Sequence, residues 1–294
     1  MRHILSNNAL RVEIDSLGAE LKSVRSLQEN LEYLWQGDTA FWGRTSPVLF
    51  PIVGRLTDNT CFIEGRKYSM PQHGLARDLE FVILEQDQTF LSFSLKCDAQ
   101  TRAAYPYDFE LLINYRLQDE QLRVTWQVRN HGTGFMPFAI GAHPGFSTRL
   151  EPEDSFEDYD IRFERHQQYH LWPVTPNGRL VTRPVPFLEP LQSFTLNHQY
   201  FAVDALVFPD HQVSSVTLKH NWHGHGVTLD CTGFPVLALW TANNQGQDPA
   251  FLCIEPWFGF GDTEAGPFEL VEKPGMQLLE PGGLFKAHYD MRFF

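Results

Sequence analysis

The chain has 294 residues, 43% of them hydrophobic, with 24 Phe, 9 Tyr and 7 Trp and a formal net charge of -13. That length suits one continuous domain over 1–294, and an acidic balance with no basic tract excludes nucleic acid as a main partner. No apolar run is long enough to cross a bilayer and residues 6–8 turn polar before a signal-peptide core could form, so a soluble cytoplasmic protein is expected.

The predicted elements are short strands, beginning with residues 10–14. Next, one turn of helix is expected at Asp38-Thr39-Ala40-Phe41-Trp42, with Asp38 as its cap. A strand over 90–95 follows. Residues 109–117 then alternate apolar and polar, and Leu122-Arg123-Val124-Thr125-Trp126-Gln127-Val128 places four apolar side chains on one face and three polar ones on the other. The link 118–121 is of hairpin length, so these two runs should pair antiparallel. Further strands are expected at 159–163, 216–218, 226–230, 236–240 and 251–254. Glu151-Pro152-Glu153-Asp154 and Arg183-Pro184-Val185-Pro186 read as exposed connections. With 21 Gly and 19 Pro and no sustained 3.6-residue period, the fold class is all-β. So many strands must hide their edges, which points to a large antiparallel β-sandwich.

Cys61, Cys97, Cys231 and Cys253 are far apart and form no Cys-x-x-Cys pair, so they read as free core thiols. His220, His223 and His225 crowd one segment, which reads as a solvated hairpin tip rather than a metal site. Three other places hold the candidate chemistry. In Gln72-His73-Gly74, Gly74 allows a backbone conformation or a close approach that a side chain forbids. In Gly141-Ala142-His143-Pro144-Gly145-Phe146, Pro144 pushes His143 toward extended geometry, and the glycines add little bulk. Glu255, after the apolar run Phe251-Leu252-Cys253-Ile254 and before Pro256, is an odd place for a carboxylate unless it faces a polar pocket. His73, His143 and Glu255 could in principle be a two-histidine, one-carboxylate metal set. No Gly-x-Ser-x-Gly elbow supports nucleophilic catalysis.

These motifs, with Trp42-Gly43-Arg44-Thr45-Ser46-Pro47-Val48-Leu49-Phe50-Pro51-Ile52-Val53-Gly54-Arg55-Leu56, His73-Gly74-Leu75-Ala76-Arg77-Asp78, Asp204-Ala205-Leu206-Val207-Phe208 and Ile254-Glu255-Pro256-Trp257, occur in an order that resembles the aldose 1-epimerase (galactose mutarotase-like) family. The likeness is greatest to its bacterial LacX-type branch. The resemblance implies a β-supersandwich with a sugar cleft and no metal or organic cofactor. It also implies Glu255 as catalytic base, His143 as catalytic acid, His73 as a second histidine near the ring oxygen, Arg55 as a substrate-binding arginine and Asp204 as a partner for a sugar hydroxyl. Structural alternatives are an Arg55 ion pair with Asp58 and a turn hydrogen bond for Asp204.

An aldose exchanges its anomers through the open-chain aldehyde, so one group must take the proton of the anomeric hydroxyl while another protonates the ring oxygen. The implied activity is therefore that of an aldose 1-epimerase acting on a hexose. Aromatic candidates for the sugar's apolar face are Trp257, Phe260, Phe41 and Trp42. Gly54 replaces the asparagine that galactose mutarotases carry there, and Arg77 is similar to the arginine of hexose-6-phosphate epimerases. Convergence of Arg44, Arg55 and Arg77 would favour a sugar phosphate, whereas local pairing of Arg77 with Asp78 or Glu80 would not. The other competing reading is a non-catalytic sugar-binding module. The expected partner is a small-molecule sugar, and the expected assembly a monomer or homodimer.

Overall fold

The structure, a computed structural model, describes residues 1–242 and 249–294. Two antiparallel sheets face each other across the main core. The larger has nine strands in the order Val185–Thr195, Tyr159–Leu171, Ser215–His220, Gly226–Asp230, Leu284–Phe293, Gln121–Asn130, Phe109–Gln118, Phe90–Lys96 and Val82–Gln86. The smaller runs Leu206–Phe208, Val236–Trp240, Phe251–Phe258, Ile140–Ala142 and Val48–Leu49, with Gly145–Ser147 also paired to Phe251–Phe258. Rings bridge the two: Phe208 lies 5.3 Å from Phe163, and Phe258 lies 5.1 Å from Phe285. A three-stranded sheet, Arg2–Ser6, Leu10–Asp15 and Glu20–Ser26, contributes Leu5, Val12 and Leu21 to the same core.

The hairpin expected around 118–121 forms as the alternation dictates. Leu122 pairs with Leu117, Val124 with Tyr115, Trp126 with Ile113 and Val128 with Leu111, and all eight side chains are buried. A one-residue slip would expose the whole set, so burial itself holds the register. Asp119, at φ 49, supplies the left-handed residue of the tight turn.

The nine-stranded sheet corrects one expected connection. Val185 and Pro186 belong to the strand Val185–Thr195, which occupies the sheet's edge, where a missing N–H costs no ladder hydrogen bond. At Asp38 the expected turn forms: its carboxylate accepts the Ala40 N–H at 2.8 Å, and its carbonyl accepts the Trp42 N–H at 2.8 Å. The α-helix found among the described residues, Ala99–Ala104, is capped reciprocally by Asp98 and Thr101.

The smaller sheet has two different faces. Leu237, Leu239, Leu252 and Ile254 point into the main core, whereas Val207, Val236, Ala238 and Trp257 form a separate cluster on the other side. By the two-residue alternation of a strand, Cys253 and Glu255 share the face of Trp257. The strand is buried on both faces, so its sequence shows no polar alternation to announce that carboxylate.

Candidate active site

Gly141 pairs with Trp257 and Gly145 with Cys253, which sets position 143 opposite position 255. The ladder is interrupted at His143 and Pro144, and the imidazole there faces the carboxylate: His143 Nε2 lies 3.3 Å from Glu255 Oε1. The two glycines of this motif serve packing more than turning. A Cβ on Gly141 would come within 2.6 Å of Trp257 Cδ1, and one on Gly145 within 2.9 Å of Trp42 Cζ3.

His143 and Glu255 are 7% and 1% exposed. Burial pushes the Glu255 carboxyl well above its ordinary range, Asp204 pushes it further, and the Trp257 indole opposes both. Burial brings His143 down to about 3, with Arg77 and Arg44 acting in the same direction and a backbone hydrogen bond against it. Burial thus works against charge on both members of the pair. Trp42 stacks on His143 at 4.8 Å and 25°, and Trp240 meets it edge-on at 5.6 Å. An indole face stabilises an imidazolium, so this cage favours a proton on His143.

His73 is set by its backbone. It is the third residue of a turn closed by the Gly74 N–H on the Pro71 carbonyl at 3.0 Å, and it takes a left-handed φ of 67. Gly74 follows at φ 76, and its close approach is to the Phe50 carbonyl, 2.4 Å from an added Cβ. His73 Nδ1 accepts the Gly54 N–H at 3.2 Å, and Nε2 lies 3.1 Å from the Gln72 amide nitrogen. Burial, with His143 and three arginines nearby, keeps this ring well below the usual histidine range. Charge on this ring is thus disfavoured.

Arg55 lines the same cleft and donates from Nε to Gln72 Oε1 at 3.1 Å instead of pairing with Asp58. Its backbone carbonyl accepts the Asp262 N–H at 2.8 Å, and Asp262 accepts the Thr57 N–H at 2.8 Å, so a buried aspartate clamps the segment. Asp204 accepts the Ala205 N–H at 2.8 Å, as the turn alternative foresaw, yet its carboxyl also lines the cleft. Burial raises its pKa, and Arg55 counters that.

The arginines converge only in part. Arg77 lines the cleft, donates to the Gln72 carbonyl at 2.6 Å, and lies 3.7 Å from Asp78 through Nε. Arg44 turns to Asp78 at 2.7 Å and is not part of the lining. Of the four candidate rings, Trp42 and Trp257 line the cleft; Phe260 packs edge-on against Trp172 at 5.0 Å, and Phe41 against Trp35 at 6.2 Å. Gln72, Trp240 and Thr241 are additional lining residues. Gln72 was visible only as a neighbour of His73, and Trp240 only as the end of an apolar strand.

The cleft encloses about 410 Å³, a volume suited to a monosaccharide, and carries unpaired polarity. Among the described residues, Glu255 Oε2, His143 Nδ1, Trp257 Nε1, Arg77 Nε and Thr241 Oγ1 are buried without a hydrogen-bond partner. Such atoms are costly in a fold unless a ligand uses them.

Two further expectations need correction. His220 is buried, not solvated: its Nε2 lies 3.3 Å from Asp154, and the His223 ring stacks on it at 3.6 Å. Cys97 is only half-buried and donates to Asp108 at 2.9 Å, while the other three thiols are in the core. The metal set of His73, His143 and Glu255 does not assemble; the donor grouped with His143 and Glu255 is Cys253.

Residues 1–281 match the family described as aldose 1-epimerase. The chain belongs to that family. It is accordingly an isomerase. It is 32% identical over 295 residues to the plasmid-encoded protein LacX of Lactococcus lactis subsp. lactis, covering 98% of this chain and 97% of that one. A galactose mutarotase related enzyme from Lactobacillus acidophilus superposes with TM-score 0.94 at 30% identity, over 100% of this chain and 97% of the other. A galactose mutarotase-like protein from Lactobacillus casei gives 0.92 at 28% identity, with both chains fully covered. The all-β supersandwich is therefore the family fold.

Proposed function

We propose that the chain interconverts the α and β anomers of a hexose, with Glu255 as base and His143 as acid. The observation that carries this reading is the 3.3 Å approach of His143 Nε2 to Glu255 Oε1 inside the cleft. The two oxygens that exchange protons in anomerisation are bonded to one carbon, so the groups serving them must be neighbours too.

In the working form Glu255 is a carboxylate and His143 carries a proton. The Glu255 carboxylate takes the proton of the anomeric hydroxyl as His143 protonates the ring oxygen. The bond from C1 to the ring oxygen then breaks, giving the aldehyde. Rotation about C1–C2 and the reverse transfers close the other anomer and restore both groups. The reaction consumes no electron pair or co-reactant. His73 contacts the sugar near the ring oxygen, Arg55 and Asp204 hold hydroxyls, and Trp257 offers its ring to the sugar's apolar face.

A phosphorylated hexose is the second reading, favoured by one observation: Arg55 and Arg77 both line the cleft, and Arg77 Nε, 3.7 Å from Asp78, is buried without a hydrogen-bond partner among the described residues. Anomer exchange measured on free and 6-phosphorylated aldoses separates the two. Loss of phosphate-ester turnover alone in Arg77→Ala supports the ester; equal loss on both sugars refers Arg77 to the fold of the cleft.

A further inference from the structure

Cys253 takes no part in the proton transfers above, yet it projects from the same strand face as Glu255. It pairs with Trp240 on one side and Gly145 on the other, which places it beneath the same aromatic cage as His143. One donor atom each from His143, Cys253 and Glu255 lie within 4.8 Å of one another, all three residues buried. Ligands held tetrahedrally at about 2.0–2.3 Å from zinc stand about 3.4 Å apart. The His143 to Glu255 separation, 3.3 Å, already has that length. Glu255 Oε2 is, in addition, buried and unpartnered among the described residues.

We propose that His143, Cys253 and Glu255 form a site for a thiophilic divalent cation such as Zn²⁺, and that its occupation shuts the epimerase off. Imidazole, thiolate and carboxylate suit zinc or cobalt; magnesium and calcium prefer oxygen alone. Binding releases the thiol and carboxyl protons to solvent. The two anions then cancel the ion's charge, so the enclosed site carries no net charge. The inhibition rests on reading His143 and Glu255 as the proton-transfer pair; the binding does not.

The second donor cluster, Asp154, His220 and His223, does not offer the same chemistry. His220 Nδ1 accepts the Trp222 N–H at 3.1 Å and His223 Nδ1 the His225 N–H at 3.3 Å. Their Nε2 atoms therefore carry protons and face Asp154 as donors.

Titration of Co²⁺ into the full chain, followed by absorption and by polarimetry, tests the proposal. The expected result is a thiolate-to-cobalt charge-transfer band saturating at one equivalent, displaced by Zn²⁺, absent in Cys253→Ala and retained in Cys97→Ala. Mutarotation should fall about 10²-fold or more with occupancy in the wild type and resist the metal in Cys253→Ala. Cys253→Ser, checked by circular dichroism, serves if the alanine variant does not fold. A folded wild type without the band, or a band that survives in a folded Cys253 variant, overturns the site. A full band with undiminished mutarotation overturns the inhibition and the proton-pair reading together.

Discussion

His143 stands opposite Glu255 across two antiparallel strands, its Nε2 3.3 Å from Oε1. The sheet places a carboxyl and an imidazole on one face by register, with the ladder interrupted at His143 and Pro144. Either direction of proton transfer to a sugar requires one proton on the pair. Activity is therefore expected to fall on both sides of a plateau. On the acid side His143 gains a second proton near its value of about 3; on the alkaline side Glu255 loses its proton, well above the ordinary carboxyl range. The pH dependence of kcat/KM checks this, and a single alkaline fall centred at the ordinary carboxyl value would refute it.

Stability should show the same two groups with opposite signs. Glu255 is raised in the fold, so between the ordinary carboxyl value of 4.5 and its folded value the unfolded chain holds fewer protons, and stability drops as pH rises. His143 is depressed from 6.5 to about 3, so its contribution is present above 6.5 and lost as pH falls through that window. Each slope is limited to about 1.4 kcal/mol per pH unit. Glu255→Gln is expected to be more stable than the wild type at neutral pH and equal to it below pH 4.5, and His143→Asn to flatten the acid side. Thermal unfolding at a series of pH values reads both.

Asp204 acts on Glu255 through its charge. Its charge raises Glu255 and its carboxyl lines the cleft, so Asp204→Asn should do two things at once. KM rises because a hydroxyl loses a charged partner, and the alkaline limb of the rate profile moves to lower pH. A structural role alone would leave that limb in place.

Gly141 is fixed by Trp257. An added methyl at 2.6 Å from Trp257 Cδ1 must displace the ring, and such overpacking costs about 1–3 kcal/mol. Gly141→Ala should lower both the melting temperature and the turnover, and Trp257→Phe in the same chain should recover part of the stability. Additive losses in the double variant would refute the contact.

Much of this was legible in the residues themselves. The alternation in 122–128 gave the hairpin and its buried face, and the motifs around His73, His143 and Glu255 marked the three strands and turns that meet at the cleft. Register was the hidden part. Nothing local says that Gly141 pairs with Trp257, and so nothing local says that His143 opposes Glu255 or that Cys253 joins them. Gln72 and Thr241 escaped notice because an amide and a hydroxyl are common in loops and become notable only when buried beside charged groups. The electrostatics escaped too: a carboxyl and an imidazole read as ionised in a sequence, and only their enclosure works against charge on both.

The most direct test is the optical rotation of freshly dissolved α-D-glucose and α-D-galactose, with wild type and Glu255→Gln at equal concentration. The wild type should accelerate the approach to equilibrium with at least one of these sugars or its 6-phosphate. The folded Glu255→Gln protein should lose about 10²–10⁴-fold of that rate. A wild type that leaves every sugar at the buffer rate, or a Glu255→Gln variant as fast as its parent, would contradict the account.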